Sequence, residues 1–481
     1  MPEQSSITES ELRSLVRTVS SEPVRALSEL SALAKKRAAR EAIDRLLSDR
    51  SPVYAALESG DPKTRKNAAR LLGALERPAD ADTLSRALQS EKTLFVIPSV
   101  LLALGNIGGK TAESALAGYK APAPKDETEQ KHVREIQLAL EKSRAALERG
   151  KPLPPRKAPP HPTDVLLTAP EGFAETLQKE LASLGCSATP CTAGALLHTD
   201  NLKPLYTVRC AAEVLLPVGK SLPADAKKIA AAAAELLERP YRVELRGYSG
   251  DRAAFIRAVS GALGGGDNPS RYADELRIVC RGNVCDVFVR PCSVPDTRLA
   301  YRKKSLPASI HPATAACLAR YALSFVSAER VRALDPFCGS GTLLFELEHA
   351  AKNTALIGVD ISEHALEAAR INARAAKSGA HFIRKDILKF TPREPFDLIL
   401  TNMPFGNRVG THTSNEPLYR GFIRMLPNLL SEDGVAALYT MEHRLLTDCL
   451  RREPRLTVVS ETRTEAGGLN PRVTIVKRKQ S

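Results

Sequence analysis

Hydrophobic and polar positions divide the chain into three stretches with different periods. From residue 8 to about residue 120, apolar residues recur at helical spacing. Two segments there, "DPKTRKNAARLLGALERPADADTLSRAL" and "EKTLFVIPSVLLALGNIGGKTAESALAGY", align at an offset of 32, pairing Leu72 with Leu104, Gly73 with Gly105, Leu75 with Ile107 and Leu84 with Leu116. A looser unit lies around "AREAIDRLLSDRSPVYAAL". Such repetition predicts helix pairs that stack on a shared apolar face and offer an extended surface to a partner. The competing reading is a plain helical bundle with accidental self-similarity. One further helix, with apolar Val133, Ile136, Leu138, Leu140 and Leu147, runs into "KPLPPRKAPPHP". Six prolines in those twelve residues predict a stiff, extended linker and a domain boundary.

Residues 163–300 mix both periods. "DVLLTAP", "ALLHTD" and "YRVELRGYSG" read as strands, "GFAETLQKELASLG" and "DRAAFIRAVSGAL" as helices, with Gly185 closing the first helix. "ELRIVCRGNVCDVFVRP" reads as a hairpin turning at Gly282 and Asn283. From about residue 301, strands "VRALDPF", "ALIGVDI", "HFIRKDI", "FDLILTN", "GVAALYT", "LTVVSET" and "RVTIVKR" alternate with helices "SGTLLFELEHAAK" and "EHALEAARINARAAKSG". That alternation predicts a mainly parallel seven-stranded sheet whose last two strands form an antiparallel pair.

A length of 481 residues suggests roughly three domains at about 150 residues each. The expected divisions are 1–150 helical repeats, 151–162 linker, 163–300 an α+β region and 301–481 an α/β domain. An apolar fraction of 43% and a charged fraction of 26% are those of an ordinary globular chain. No apolar run approaches the ~20 residues that span a bilayer, and the first residues lack a basic and then apolar leader, so a cytoplasmic protein with no membrane association is expected. Nine cysteines without a CxxC pair argue for reduced thiols; Cys280, Cys285 and Cys292 have spacing unlike a zinc site, so no metal is expected. The charge of +14 favours a polyanionic partner, nucleic acid being the usual one.

Candidate chemistry lies at the ends of the predicted C-terminal strands. After the first comes "DPFCGSGTLLFE", where Gly339 and Gly341 permit a tight turn and Ser340 and Thr342 can cap the following helix. The loop matches neither G-x-G-x-x-G nor a Walker motif. The second strand ends on Asp360, 25 residues after Asp335, at a distance suited to accepting ribose hydroxyls. The third ends at Asp386 and the fourth at Asn402, followed by Met403, Pro404, Phe405 and Gly406. Pro404 cannot donate to a ladder, so pairing should stop near Asn402 and leave a rigid loop with one amide and one aromatic ring. Each polar group alone is an ordinary helix cap; four on one carboxyl edge are not.

This constellation resembles the class I S-adenosylmethionine-dependent methyltransferases, and "DPFCGSGT…GVDIS…KDIL…NMPFG" resembles the THUMP-associated RNA guanine-N2 methyltransferases. The resemblance is strong over residues 300–481. It is weaker over 163–300, where the order of "LLTAPEGFAETLQKELASLG", "PLYTVRCAAEVLLPV", "YRVELRGY" and "LRIVCRGNVCDVFVR" is similar to a ferredoxin-like plus THUMP region. The N-terminal repeats are similar to HEAT repeats, with a period shorter than the usual ~40. The implied architecture is multidomain: HEAT-like α-helical repeats, an α+β THUMP-like domain, then an α/β Rossmann-like methyltransferase.

The resemblance implies that Asp335, Gly339 and Gly341 lie along the methionine part of S-adenosylmethionine, that Asp360 binds its ribose and that Asp386 contacts its adenine. Phe337, Thr342, Ile361, Ile387 and Asn402 complete the expected cofactor set. "RKKSLPASIHPATAACLARYA" is similar to the family's helix before the first strand and brings Ser305 and His311 into consideration. A THUMP-like region implies a folded RNA, tRNA or rRNA, as partner, with Arg242, Arg246, Arg271, Arg302, Lys303 and Lys304 as candidate contacts. The helical repeats are a candidate surface for a protein partner.

In the implied reaction an exocyclic base amine, a poor nucleophile because its lone pair is delocalised, gives its two N–H groups to the Asn402 side-chain oxygen and the Met403 carbonyl. Phe405 stacks on the base once it has left its helix. The catalytic set is therefore Asn402, Met403, Pro404 and Phe405, with guanine N2 as the expected acceptor. Amino methyltransferases often carry proline where this chain has Met403, which predicts a somewhat less rigid loop. The same motif serves adenine N6, so a DNA or RNA adenine methyltransferase is the enzymatic alternative, and an RNA-binding scaffold of minor activity the non-enzymatic one.

Overall fold

The computed structural model describes residues 9–148, 153, 155–307, 309–405, 412–465 and 468–479. The chain forms two compact units, Met1–Pro152 and Leu153–Ser481.

The first unit consists, among the described residues, of helices α1 (Glu9–Arg17), α2 (Pro23–Leu33), α3 (Arg37–Leu46), α4 (Ser51–Leu57), α5 (Pro62–Leu75), α6 (Ala81–Ser90), α7 (Ile97–Ile107), α8 (Gly109–Gly118) and α9 (Glu127–Leu147). Asp61 starts α5 by accepting from the Lys63 and Thr64 amides, and Pro62 fits the first turn because no amide is needed there. The offset of 32 carries α5 onto α7 and α6 onto α8. Leu72, Leu84, Leu104 and Leu116 are all fully buried. A Cβ on Gly73 would lie 2.6 Å from the Ala103 Cα of α7, and one on Gly105 would lie 2.6 Å from the Ser143 Cα of α9. The repeated glycine is thus the notch into which the next helix of the stack fits.

The second unit begins with an anchored linker. Arg156 is buried, its guanidinium donating to Asp274 and, at 2.6 Å, to the Leu236 carbonyl, and the Lys157 amide donates to Glu238 at 2.8 Å. The stretch expected as a stiff, extended linker therefore packs against this unit from Arg156 on, because that arginine finds a buried carboxylate.

An α+β lobe follows: β1 (Thr163–Thr168), α10 (Ala174–Ser183), β2 (Thr189–Cys191), β3 (Gly194–Thr199), β4 (Glu213–Pro223), α11 (Ala226–Ala233), β5 (Tyr241–Arg246), α12 (Arg252–Ala262), β6 (Asp274–Arg281) and β7 (Val284–Pro291). Its sheet runs β2-β3-β1-β4-β7-β6-β5. The β6–β7 hairpin turns at Gly282, whose φ of +64° suits glycine, and Asn283.

The rest of the unit is a Rossmann-like α/β layer built from α13 (Pro312–Leu323), β8 (Val331–Asp335), α14 (Thr342–Ala350), β9 (Thr354–Asp360), α15 (Glu363–Ala376), β10 (His381–Arg384), β11 (Phe396–Asn402), α16 (His412–Leu429), β12 (Leu430–Thr440), α17 (His443–Arg451), β13 (Leu456–Arg463) and β14 (Arg472–Arg478). The sheet order is β10-β9-β8-β11-β12-β14-β13. Strands β10 to β12 pair in parallel, while β14 is antiparallel to both β12 and β13. Leu398, Ile399 and Leu400 of β11 are fully buried, as a strand covered on both faces requires.

Two buried carboxylates fasten the α+β lobe to this layer. Glu346 of α14, 1% exposed, accepts from Arg209 at 2.6 and 2.8 Å and from the Tyr301 hydroxyl at 2.6 Å. Glu180 of α10 accepts from the Arg209 and Cys210 amides and, at 2.9 Å, from Arg320 of α13. The helix that follows the glycine loop is thereby fixed from outside its own sheet.

Candidate active site

The parallel sheet reverses direction of winding between β8 and β11, the kind of switch point at whose carboxyl ends open α/β sheets bind ligands. Asp335 ends β8, Asp360 ends β9, Asp386 follows β10 and Asn402 ends β11. All four expected positions thus lie on one edge.

Between β8 and α14 the chain turns through Gly339 at φ +51° and Gly341 at φ +83°. A Cβ on Gly341 would strike the Phe345 ring at 2.7 Å, whereas one on Gly339 would meet nothing nearer than Leu306 at 4.0 Å. Gly339 is required by its conformation, and the space beside it is open. Asp360 holds this loop: Oδ2 accepts from the Gly339 amide at 2.9 Å and Oδ1 from the Ser362 amide at 2.9 Å. Each oxygen keeps a lone pair for a further donor, such as a ribose hydroxyl.

Asp335 is 1% exposed, and its Oδ1 accepts from the Thr401 hydroxyl at 2.7 Å and the Phe337 amide at 3.2 Å. Burial is the main reason its carboxyl is raised to about 7; Asp360 raises it further, and the two hydrogen bonds oppose the shift. Asp335 therefore ties the ends of β8 and β11 together from the interior.

Two expectations change, the cap of α14 and the effect of Met403. Neither Ser340 nor Thr342 caps α14: Gly341 occupies the cap in a left-handed conformation, which turns both hydroxyls inward, where Ser340 Oγ meets Ser309 Oγ at 3.0 Å and Thr342 is 3% exposed. The Ile387 side chain is 3% exposed and packs in the core beneath the sheet edge, while its neighbour Leu388 is 41% exposed. Asp386 acts as a cap, accepting from the Leu388 amide at 3.0 Å. Met403 does not loosen the loop: its fully buried side chain enters the core, and its amide donates to the Tyr439 carbonyl at 2.9 Å, carrying the β11–β12 ladder one residue past Asn402. A proline could not make that bond.

The remaining residues divide clearly. Ile361, 68% exposed, stands beside Asp360, an apolar side chain in solvent next to a carboxylate. Phe337 is half-buried and meets Phe422 edge-to-face at 5.5 Å. Pro404 and Phe405 are half-buried beyond Asn402. Ser305 accepts weakly from Arg302 at 3.4 Å, and His311 begins α13, its pKa lowered by burial and by Arg302 and Arg298. Arg242 and Arg246 are engaged with Glu275 and Glu244 at 2.6 to 3.2 Å.

Sequence reading missed Thr401, Tyr419, Thr440 and Asn372. Tyr419 of α16 donates to the Pro404 carbonyl at 2.9 Å and lies 2.6 Å from the Thr440 hydroxyl. Buried Asn372 bridges the Lys304 backbone, at 2.8 and 2.9 Å, to the Ser340 carbonyl at 3.1 Å, joining the segment before α13 to the glycine loop.

Residues 299–472 match the family model described as UPF0020: RMKL-like, methyltransferase domain. The match is to that family's methyltransferase domain and covers well under half of the chain. The chain is 32% identical over 213 residues to a tRNA (guanine(6)-N2)-methyltransferase of Thermus thermophilus, covering 43% of this chain and 61% of that protein. It is 32% identical over 134 residues to a tRNA (guanine(10)-N2)-dimethyltransferase of Methanothermobacter thermautotrophicus, covering 27% and 38%. The chain thus spans less than two thirds of either relative. Among solved structures, TrmN from Thermus thermophilus superposes with a TM-score of 0.53 at 26% identity, over 66% of this chain and 99% of that one. SMU.472, at 14% identity and the same TM-score, shares the fold.

The methyltransferase domain fits S-adenosylmethionine on its own geometry. The open space beside Gly339, the Asp360 carboxylate with lone pairs to spare and the exposed Ile361 stand next to one another, a set whose chemistry suits a ligand that carries hydroxyls and an apolar ring. No helix among the described residues is long and apolar enough to cross a membrane, and no cluster of metal-ligating side chains occurs among them.

Proposed function

We propose that the protein methylates the exocyclic N2 amine of a guanine in a structured RNA, tRNA or rRNA, with S-adenosylmethionine as donor. The observation that carries this reading is the position of Asn402 at the end of β11, next to Thr401, whose hydroxyl donates to Asp335 at the end of β8, where the glycine loop begins. The names of the two relatives above favour guanine N2 over adenine N6.

The bound donor supplies an electrophilic methyl on a sulfonium. Asn402 accepts one N–H of the amine through its side-chain oxygen and the Met403 carbonyl accepts the other, which aims the nitrogen lone pair without introducing a charge. Pro404 has its carbonyl engaged by Tyr419 and holds the turn, and Phe405 stacks on the base. The N–C bond forms as the S–C bond breaks, its electron pair going to sulfur; the methylated amine then loses a proton to water. In this reading Asp360 takes the ribose, the loop from Phe337 to Thr342 takes the methionine part, and the backbone at Asp386 and Ile387, with Ile361, takes the adenine.

Residues 163–300 serve in this reading as a THUMP-like RNA-binding region, and the helical unit as a surface for a protein partner. In vitro methylation of total RNA followed by nucleoside analysis tests the proposal. N2-methylguanosine is expected; methylated adenine without it would overturn the choice of base. Removing residues 1–152 and comparing full-length with minimal RNA tests the helical unit.

A further inference from the structure

The carbonyl of Pro404, in the middle of the proposed methyl-transfer loop, sits at the end of a directed chain of hydrogen bonds. The Glu442 amide donates to Thr440 Oγ1 at 2.9 Å, Thr440 lies 2.6 Å from the Tyr419 hydroxyl, and Tyr419 donates to the Pro404 carbonyl at 2.9 Å. The direction is fixed at both ends. A carbonyl can only accept and an amide can only donate, so the single Tyr419 proton goes to Pro404 and the Thr440 proton goes to Tyr419. Tyr419 and Thr440 are both fully buried, and burial pushes the Tyr419 phenol well above its ordinary pKa, so the hydroxyl keeps the proton it donates.

We propose that Tyr419, backed by Thr440, is a positioning residue for the Asn402–Phe405 loop. The assignment rests on the methyl-transfer reading above and names what holds that site in shape. Three ties converge on four residues: Thr401 to Asp335 before Asn402, the Met403 amide to Tyr439, and Tyr419 to Pro404 after it. Two of them use strands that end at the site. The third comes from α16, at a point where a proline has removed the loop's own amide donor and the strand ladder has stopped. Without it, the carbonyl beyond Met403 has no fixed direction, and Phe405 follows it.

Tyr419→Phe keeps the ring and removes one oxygen. In the full-length protein it is expected to slow single-turnover methyl transfer by roughly tenfold to a hundredfold, as loss of alignment does, while S-adenosylhomocysteine affinity measured by calorimetry stays within about twofold. Thr440→Val should act in the same direction, and Thr440→Ser, which keeps the hydroxyl, should restore the wild-type rate. The chain has no tryptophan, so Phe405→Trp places a single fluorophore on the loop. In that background Tyr419→Phe should increase quenching by acrylamide. Unchanged rate and quenching would overturn the proposal, as would parallel losses of rate, cofactor affinity and melting temperature, which mark general damage. A wild type that methylates no RNA nucleoside defeats the methyl-transfer reading alone; the quenching comparison then decides the role of Tyr419 by itself.

Discussion

Thr401 donates its hydroxyl proton to Asp335 across the boundary between β11 and β8, 2.7 Å apart and 66 residues apart in sequence. Both groups are out of solvent, so the bond is a fixed spacer between the strand that leads into the glycine loop and the strand that ends on Asn402. The distance between proposed donor and acceptor is set there, before either arrives.

Asn402→Ala should remove the side-chain acceptor and leave the cofactor loop intact. The expected loss in methyl transfer is roughly a hundredfold or more, with S-adenosylhomocysteine binding by calorimetry close to wild type. Unchanged transfer in a variant that binds cofactor would refute the role given to Asn402.

Asp360→Ala should act on the cofactor instead. It frees the Gly339 and Ser362 amides, which both depend on this carboxylate, and removes the proposed ribose acceptor. Affinity for S-adenosylhomocysteine should fall by roughly tenfold or more, since a charge-assisted bond contributes about 1.5–3 kcal/mol; equal affinity would exclude Asp360 from the site.

Asp335 carries a pH signature. Its proton leaves the unfolded chain near 3.8 and the folded chain at about 7. Over that window the folded state binds more protons, so this group's contribution to stability is present below 3.8 and is lost as pH rises. Asp335→Asn keeps an acceptor for Thr401 and Phe337 without a charge. The variant should gain stability relative to wild type as pH rises from about 4 to about 7 and hold that gain above it, as measured by urea denaturation at several pH values. A constant difference would show that Asp335 titrates normally.

Gly73→Ala and Gly105→Ala should each destabilise the helical unit, because the added carbon meets backbone 2.6 Å away and backbone cannot swing aside. The expected cost is about 1–3 kcal/mol, seen as an earlier transition in far-UV circular dichroism. Gly118→Ala, where a Cβ meets nothing within 4 Å, is the matched control and should be close to neutral.

The strand ends were legible because they follow a rule of position. A buried apolar run ending in Asp or Asn marks a carboxyl edge whether or not the fold is known, and Asp335, Asp360 and Asn402 have that context, whereas Asp386 follows a mostly exposed strand and was placed by its order in the series. The ties between them were not legible. Thr401 reads as one more β-branched strand residue, and Tyr419 lies in α16, whose two internal prolines, Pro417 and Pro427, hide its helical period. Their partners are 15 to 66 residues away, and no spacing rule for strands or helices pairs a threonine or a tyrosine with them. Met403 misled for a related reason: judged as an absent proline it implied slack, but its amide and buried side chain supply the rigidity that a ring would have given. Arg156 shows the same limit, since composition marked a linker and could not reveal the carboxylate of Asp274 awaiting it.

The notches at Gly73 and Gly105 make the junction between one helix pair and the next a standard fitting. The two helices α5 and α7 each bring the socket for the next helix in the stack, so the fitting repeats with the 32-residue unit. A substitution at either notch therefore disturbs one junction of the helical unit and leaves the chain of strand ends around Asn402 untouched.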